Sequence, residues 1–375
     1  MRLRKGLVSR NIKIKILIVL IALLLAACTP SARGGVIPGV STAALSSTAT
    51  PTISVGFDST PLPFTSTLPH TQVLTTTATE TLLPTPTSTE TPLPTLTATE
   101  TPLPTFTPTE TPSPTLSVRY AVIGDYGLAG KPAGDVADLV KSWEPDIILT
   151  TGDNNYPTGS AETIDENIGQ YYQEFIAPYL GNYGPGADIN RFFPTLGNHD
   201  YGVPGALPYL EYFTLPGNER YYDFVWGPVH FFALNSDSNE PDGFRRDSIQ
   251  AEWLRENLAG SDAVWKIVYF HHAPYSSGHH GPVTWMQWPF TDWGASAVLS
   301  GHDHTYERLH IDGIPYFVNG LGGGARYAIP SVHPGSQVRF RDDHGAMLVE
   351  ANETSLSFQF ITRLGEVIDS YILTH

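Results

Sequence analysis

Cysteine is almost missing from this chain: Cys28 is the single one in 375 residues. No internal disulfide can form, and any metal site must rest on oxygen and nitrogen donors. Basic side chains are scarce as well, since residues 118–375 carry 14 Lys and Arg against 32 Asp and Glu, a formal charge of −18 with His neutral. Broad nucleic-acid binding needs basic surface to neutralise phosphates, so no nucleic-acid partner is expected. The N-terminal apolar run, Ile16 to Ala27, has 12 residues, short of the roughly 20 that a membrane-spanning helix needs.

What is present at the N-terminus has the order of a secretory signal. Arg2, Arg4, Lys5, Arg10, Lys13 and Lys15 precede the apolar run, which ends in Leu25-Ala26-Ala27-Cys28. That ending resembles a bacterial lipobox, in which cleavage exposes the cysteine and its thiol is lipidated. Residues 1–27 are therefore expected to be a lipoprotein signal peptide and Cys28 a lipidation site, so that an exported protein is held to the cell envelope by a lipid. From Gly34 to Ser117 the composition shifts to Thr, Pro and Ser, and Glu80, Glu90, Glu100 and Glu110 recur ten apart, three of them within "TETP". A repeat so poor in apolar residues has no face to bury, so residues 28–117 read as a disordered, stiff linker rather than a solenoid.

Residues 118–375 are long enough for one substantial core. Apolar runs that end in polar clusters recur there: "RYAVIGD", "DIILTTGD", "FFPTLGNHD", "VWKIVYFHH" and "SAVLSGHDH". Such runs, rich in Val, Ile, Leu and aromatics and bounded by turn residues, predict buried strands. Helical patterns lie between them at Ala133–Trp143 and Phe244–Gly260, the second with Ser248 near its start and Gly260 at its end. The alternation predicts an α/β architecture with parallel sheet, followed by antiparallel strands toward the C-terminus. In such sheets ligands bind beyond the carboxyl ends of the strands, where all five polar clusters fall.

In order, the clusters contain Asp125; Asp153 with Tyr156; Asn198 with His199; His272; and His302 with His304. Each alone is an ordinary turn or a structural histidine, and Asn154 and Asn155 read as turn formers. Together they supply two carboxylates, a phenol, an amide and four imidazoles, a donor set suited to iron, zinc or manganese.

The series "GDYG", "GDNNY", "GNHD", "HHAP" and "GHDH" resembles the calcineurin-like metallophosphoesterases and, within them, the purple acid phosphatases. Tyr156 stands at that branch's GDxxY spacing, and Gly127 stands where other branches carry a ligand histidine. The resemblance implies a sandwich of two mixed β-sheets flanked by helices. It implies a dinuclear centre with one ion, ferric iron in the family, on Asp125, Asp153, Tyr156 and His304. A divalent ion (iron, zinc or manganese) would sit on Asp153, Asn198, His272 and His302. His272 is preferred to His271 because the family places its ligand one residue before the one preceding Pro274, and strand alternation lets only one of the pair face the metals.

The implied reaction is hydrolysis of a phosphate monoester by a metal-bound hydroxide at the cell surface, with activity in the acid range. His199 is the candidate to protonate or orient the leaving oxygen, with Asp200 as the group fixing its tautomer. His279 and His280 are candidate substrate-binding residues. Gly320–Ala325 reads as a glycine-rich turn at the site's edge, and His230 as a structural strand residue. A phosphodiesterase or nucleotide pyrophosphatase with the same site, and a non-catalytic surface binding module, remain alternatives.

Overall fold

The structure, a computed structural model, describes residues 116–375. The signal segment, Cys28 and all but the end of the Thr/Pro-rich stretch lie outside them. In chain order the strands are β1 (Ser117–Ile123), β2 (Ile147–Thr150), β3 (Phe192–Pro194), β4 (Tyr222–Trp226), β5 (Val229–Ala233), β6 (Trp265–His272) and β7 (Ala297–Gly301). They continue with β8 (Tyr306–Ile311), β9 (Ile314–Asn319), β10 (Ser336–Phe340), β11 (Gly345–Asn352), β12 (Ser355–Thr362) and β13 (Val367–Thr374). Three helices used below are α1 (Lys131–Ser142), α2 (Leu207–Tyr212) and α3 (Ile249–Gly260). Among the described residues no helix is long and apolar enough to cross a membrane.

The strands form two mixed sheets, in the orders β13-β12-β11-β1-β2-β3 and β10-β8-β9-β7-β6-β5-β4. Parallel pairing runs from β1 to β2 to β3 along one side of the first sheet and from β5 to β6 to β7 to β9 through the centre of the second. The C-terminal strands close the first sheet as an antiparallel meander. Aromatic contacts tie the two together: Tyr120 meets Phe231 edge-on at 5.1 Å, and Phe317 stacks on Phe358 at 4.6 Å. All four rings are buried, and each contributes about 1.5–3 kcal/mol by leaving water.

The parallel strands read as unbroken apolar runs because both of their faces are covered. On α1, Ala133, Val136, Ala137 and Val140 make one buried stripe at helical spacing. Leu254 and Leu258 of α3 pack with Phe232, Val268 and Phe270 on the outside of the second sheet. The helix begins at Ile249, five residues later than its pattern suggested. Ser248 caps it by accepting the Ala251 N–H, while the Ser248 N–H bonds back to the Arg245 carbonyl, so residues 245–248 form a turn that precedes the cap. His230 bonds Asp223 at 2.7 Å and Ser261 at 2.8 Å, linking β4, β5 and the end of α3.

Candidate metal centre

The carboxyl ends of β1, β2, β3, β6 and β7 deliver the five polar clusters to one place. Asp125, Asp153 and His302, with φ of 54°, 52° and 70°, hold left-handed backbone conformations. Each costs about 1–3 kcal/mol for a non-glycine residue, and each turns a side chain off its strand end toward the others. Gly152, φ 88°, makes the approach feasible, since a Cβ there would lie 2.7 Å from the His271 ring.

One corner gathers Asp125, Asp153, Tyr156 and His304. The Tyr156 hydroxyl is 3.3 Å from Asp125 Oδ1, 3.1 Å from Asp153 Oδ2 and 3.1 Å from His304 Nε2. His304 Nε2 is in turn 3.2 Å from Asp125 Oδ1. Burial, and then the Asp125 and Asp153 carboxylates, push the Tyr156 phenol well above its ordinary range, so without a cation the hydroxyl keeps its proton. Gly127 cannot host the histidine of other branches, because a Cβ there would be 2.0 Å from the Asn154 carbonyl oxygen.

The other corner gathers Asn198, His271, His272 and His302. His271 Nε2 lies 3.1 Å from Asn198 Oδ1, 3.1 Å from His302 Nδ1 and 3.4 Å from Asp153 Oδ2. His271, His272 and His302 present ligand atoms within 4.8 Å of one another, as do Asp125, Asp153 and His304. Both members of the 271–272 pair therefore reach the site, against the expectation that only one would. The register between β6 and β7 shifts between Tyr269 and His272, so simple alternation fails at this strand end.

The hydrogen bonds show why this constellation fits cations. His271 Nδ1 donates to the Thr151 carbonyl at 2.8 Å, and His304 Nδ1 to the Ala325 carbonyl. Each Nε2 then faces carboxylate oxygens with a lone pair, as His271 Nε2 also faces the Asn198 oxygen. Acceptors so opposed repel unless a proton or a metal ion sits between them. His272 has Nδ1 bonded to the Ser236 hydroxyl at 2.9 Å, which leaves its Nε2 free. Burial and the neighbouring His271 hold His272 down to about 3, and the same causes lower His302, so both stay neutral and ready to ligate.

His199 is half exposed, packs its ring 4.4 Å from that of Tyr156, and has Nε2 4.0 Å from Asp153 Oδ2. Its Nδ1 bonds the Pro157 carbonyl at 2.6 Å. The tautomer is thus set by a main-chain carbonyl and not by Asp200, as the sequence suggested. Asp200 is buried and accepts from Gly197 N–H, Asn154 N–H and Asn154 Nδ2. Burial first, then Asp153, pushes it up to about 7.

Asn154 is a second correction, for it does more than form a turn. Its fully buried amide accepts from Thr150 and Tyr126 and donates to the Thr195 carbonyl and to Asp200, joining the ends of β1, β2 and β3. His280 is brought to the rim, stacked 4.2 Å above His302, and His279 stands beside it, 5.7 Å from Tyr327. Asp303 holds that loop by accepting the His280 N–H at 2.7 Å and the Ser276 hydroxyl at 2.5 Å. Tyr327 stacks on His304 at 4.1 Å. Gly320–Ala325 lies under the site as an edge turn, with Gly324 N–H bonded to the Asp125 carbonyl. Sequence reading passed over Ser236, Asp303 and Tyr327. Ser236 had a signal, since "FFALNSDS" has the same apolar-run-then-polar shape as the five clusters used.

Residues 118–306 match the family model for calcineurin-like phosphoesterases, and the chain belongs to that family. It is a hydrolase of phosphate esters; its relatives imply a dinuclear metal site, and two groups of residues, Asp125, Asp153 and His304 in one and His271, His272 and His302 in the other, could hold metal ions. Among those relatives, purple acid phosphatase 17 of Arabidopsis thaliana is 24% identical over 298 residues, covering 68% of this chain and 84% of its own. Human tartrate-resistant acid phosphatase type 5 is 24% identical over 245 residues, covering 55% and 73%. In fold the chain is similar to the purple acid phosphatase PPD1 of yellow lupin, with a TM-score of 0.58 at 19% identity, covering 69% of this chain. It spans 54%, about half, of that lupin chain. A TM-score of 0.55 at 18% identity relates it to GAP50 of Plasmodium, with 69% and 89% covered.

Proposed function

We propose that this protein is a phosphomonoesterase of the purple acid phosphatase type, exported and tethered to the cell envelope through lipid on Cys28. The observation that carries the reading is the Tyr156 hydroxyl, which meets Asp125, Asp153 and His304 within 3.3 Å and supplies a phenolate donor to a strongly charged cation. Asp125, Asp153, Tyr156 and His304 would hold a ferric ion. Asp153, Asn198 and His302 would hold a divalent iron, zinc or manganese, with His272 as further ligand from the resemblance and His271 as its rival from geometry. When bound, two such ions supply positive charge for phosphoryl oxygens and make a water more acidic.

The protein's own groups do the rest. Asp153 reaches both corners with one carboxylate, so it sets their separation. His199 donates its Nδ1–H to the Pro157 carbonyl, so that Nε2, once the ring is the imidazolium, can hand its proton to a leaving oxygen. His280, and His279 beside it, edge the opening above His302, where a phosphate oxygen would need a donor. The stalk of residues 28–117 would give the domain reach from the membrane. An aryl phosphate monoester and its diester, compared at acid and alkaline pH together with metal analysis, test the reading. Faster diester turnover, or a pH optimum well above neutrality, would overturn it.

A further inference from the structure

Beside the metal centre a cleft of about 270 Å³ is lined by Arg245, Arg246, Asp247, Trp285 and Trp288 among others. Trp285 joins the two places. Its ring lies 5.9 Å from that of His272, and its indole N–H donates to the carbonyl of Ser236, whose hydroxyl holds His272. On its far side Phe244 meets Trp285 edge-on at 6.2 Å, with the Arg245 guanidinium 5.2 Å above the Phe244 ring.

The charges of this cleft are out of character with the domain. Residues 118–375 carry a formal charge of −18; Arg119, Arg220, Arg255, Arg308 and Arg363 are engaged by carboxylates, Arg191, Arg326 and Arg339 donate to carbonyl or hydroxyl oxygens, and Arg341, like the two arginines of this cleft, is exposed without such a partner. Arg245 and Arg246 are exposed and, among the described residues, form no ion pair and donate no hydrogen bond. Asp247 offsets one of the two charges, which leaves the cleft cationic. Two guanidinium groups without a carboxylate partner, one of them held over the Phe244 ring, are suited to bidentate capture of a phosphate, and a half-exposed indole is suited to a flat spacer.

We propose that Arg245, Arg246 and Trp285 form a leaving-group subsite that selects aryl phosphate esters carrying a second phosphate on the far side of the ring. The subsite rests on the phosphomonoesterase reading and gives that activity its substrate class.

The matched probes are 1,4-phenylene bisphosphate and phenyl phosphate, which share the scissile aryl ester and differ in the distal phosphate. The full-length protein should turn over the bisphosphate with a kcat/KM about tenfold higher, the worth of one charge-assisted contact. Raised salt should narrow that gap. In the Arg245→Gln, Arg246→Gln double variant the ratio of the two kcat/KM values should fall about tenfold toward one. Incomplete folding or metal loss cancels from a ratio measured on one sample, so it cannot imitate this result. A wild-type ratio near one, or a ratio unmoved by the double substitution, overturns the subsite and leaves the phosphomonoesterase reading intact. If neither probe is turned over, that reading fails, and titration calorimetry with 1,4-phenylene bisphosphate then decides the subsite: binding weakened by the double variant supports it, and equal binding overturns it.

Discussion

The two corners of the site are built from different chemistry. Around Tyr156 the donors are two carboxylates, a phenol and one imidazole, with the carboxylates fully or almost fully buried. Around His302 they are an amide oxygen and three imidazoles, with Asp153 as the carboxylate that faces His271 Nε2. Anionic oxygen donors concentrate in one corner and neutral nitrogen donors in the other, so the first suits a harder, more highly charged cation than the second. The difference teaches that asymmetry between two ions can be written into side-chain identity while a single carboxylate, Asp153, remains common to both.

Replacing Asp153 by Asn should therefore break both corners together. Metal content is expected to fall toward zero and turnover by about 10⁴-fold or more, read by metal analysis and initial rates. Loss of one ion alone would refute the shared role.

His271→Ala and His272→Ala separate the contenders of the second corner, and the true ligand is the one whose loss leaves about one ion per chain. A proton count sharpens this test. Burial opposes a charge on His271, but Asp153 more than offsets it and raises His271 to about 10 in the metal-free protein. The pair with Asp153 thus stabilises the empty fold below the ordinary histidine value of 6.5, and that gain is lost as pH rises through about 10. If His271 ligates, metal uptake at neutral pH must expel this proton, and affinity must rise with pH. Calorimetry in buffers of different ionisation enthalpy reads the release, which His271→Ala should lower by about one proton per chain, the proton that Tyr156 gives up remaining.

His199→Ala should keep both ions and lower kcat by about 10²–10⁴-fold, with a smaller loss for substrates whose leaving group needs no proton. An equal loss for all leaving groups would assign His199 to structure. Tyr156→Phe should affect the first corner only: a phenolate bound to ferric iron absorbs visible light, so the colour expected of the loaded protein should disappear while the second ion stays. Survival of the colour would remove Tyr156 from the ligand set. The smallest effect on chemistry is expected of Asn154→Ala, which touches neither corner, removes one of the three donors to Asp200 and leaves the Thr195 carbonyl without its amide partner. It should cost about 2–4 kcal/mol of stability in denaturant unfolding, with the metal-to-protein ratio of the folded fraction unchanged.

Much of this was legible in the chain. The apolar runs of β1, β2, β3, β6 and β7, each closed by a polar cluster, announced parallel strands and the end at which a site would form. Asp153 and Tyr156 could be singled out because strand periodicity has no use for a buried carboxylate and phenol three residues apart. Asn154 was not legible, since a turn-forming Asn and a buried amide that bonds four groups from three strand ends look alike in one dimension. Nor was Asp200, which neighbours His199 in sequence but faces Asn154 in space.

By itself, then, the sequence determined which donors exist and at which strand ends they stand, because hydrophobic periodicity and turn chemistry are local. The tertiary structure alone decided how they meet. The left-handed turns at Asp125, Asp153 and His302, the register shift that brings His271 in beside His272, and the Pro157 carbonyl that orients His199 all depend on elements distant in the chain. So does the cleft of Arg245, Arg246 and Trp285, which brings an arginine pair to a tryptophan 39 positions beyond it, across α3 and β6. Distances between side chains follow from the packing of two sheets, and that packing is a property of the whole domain.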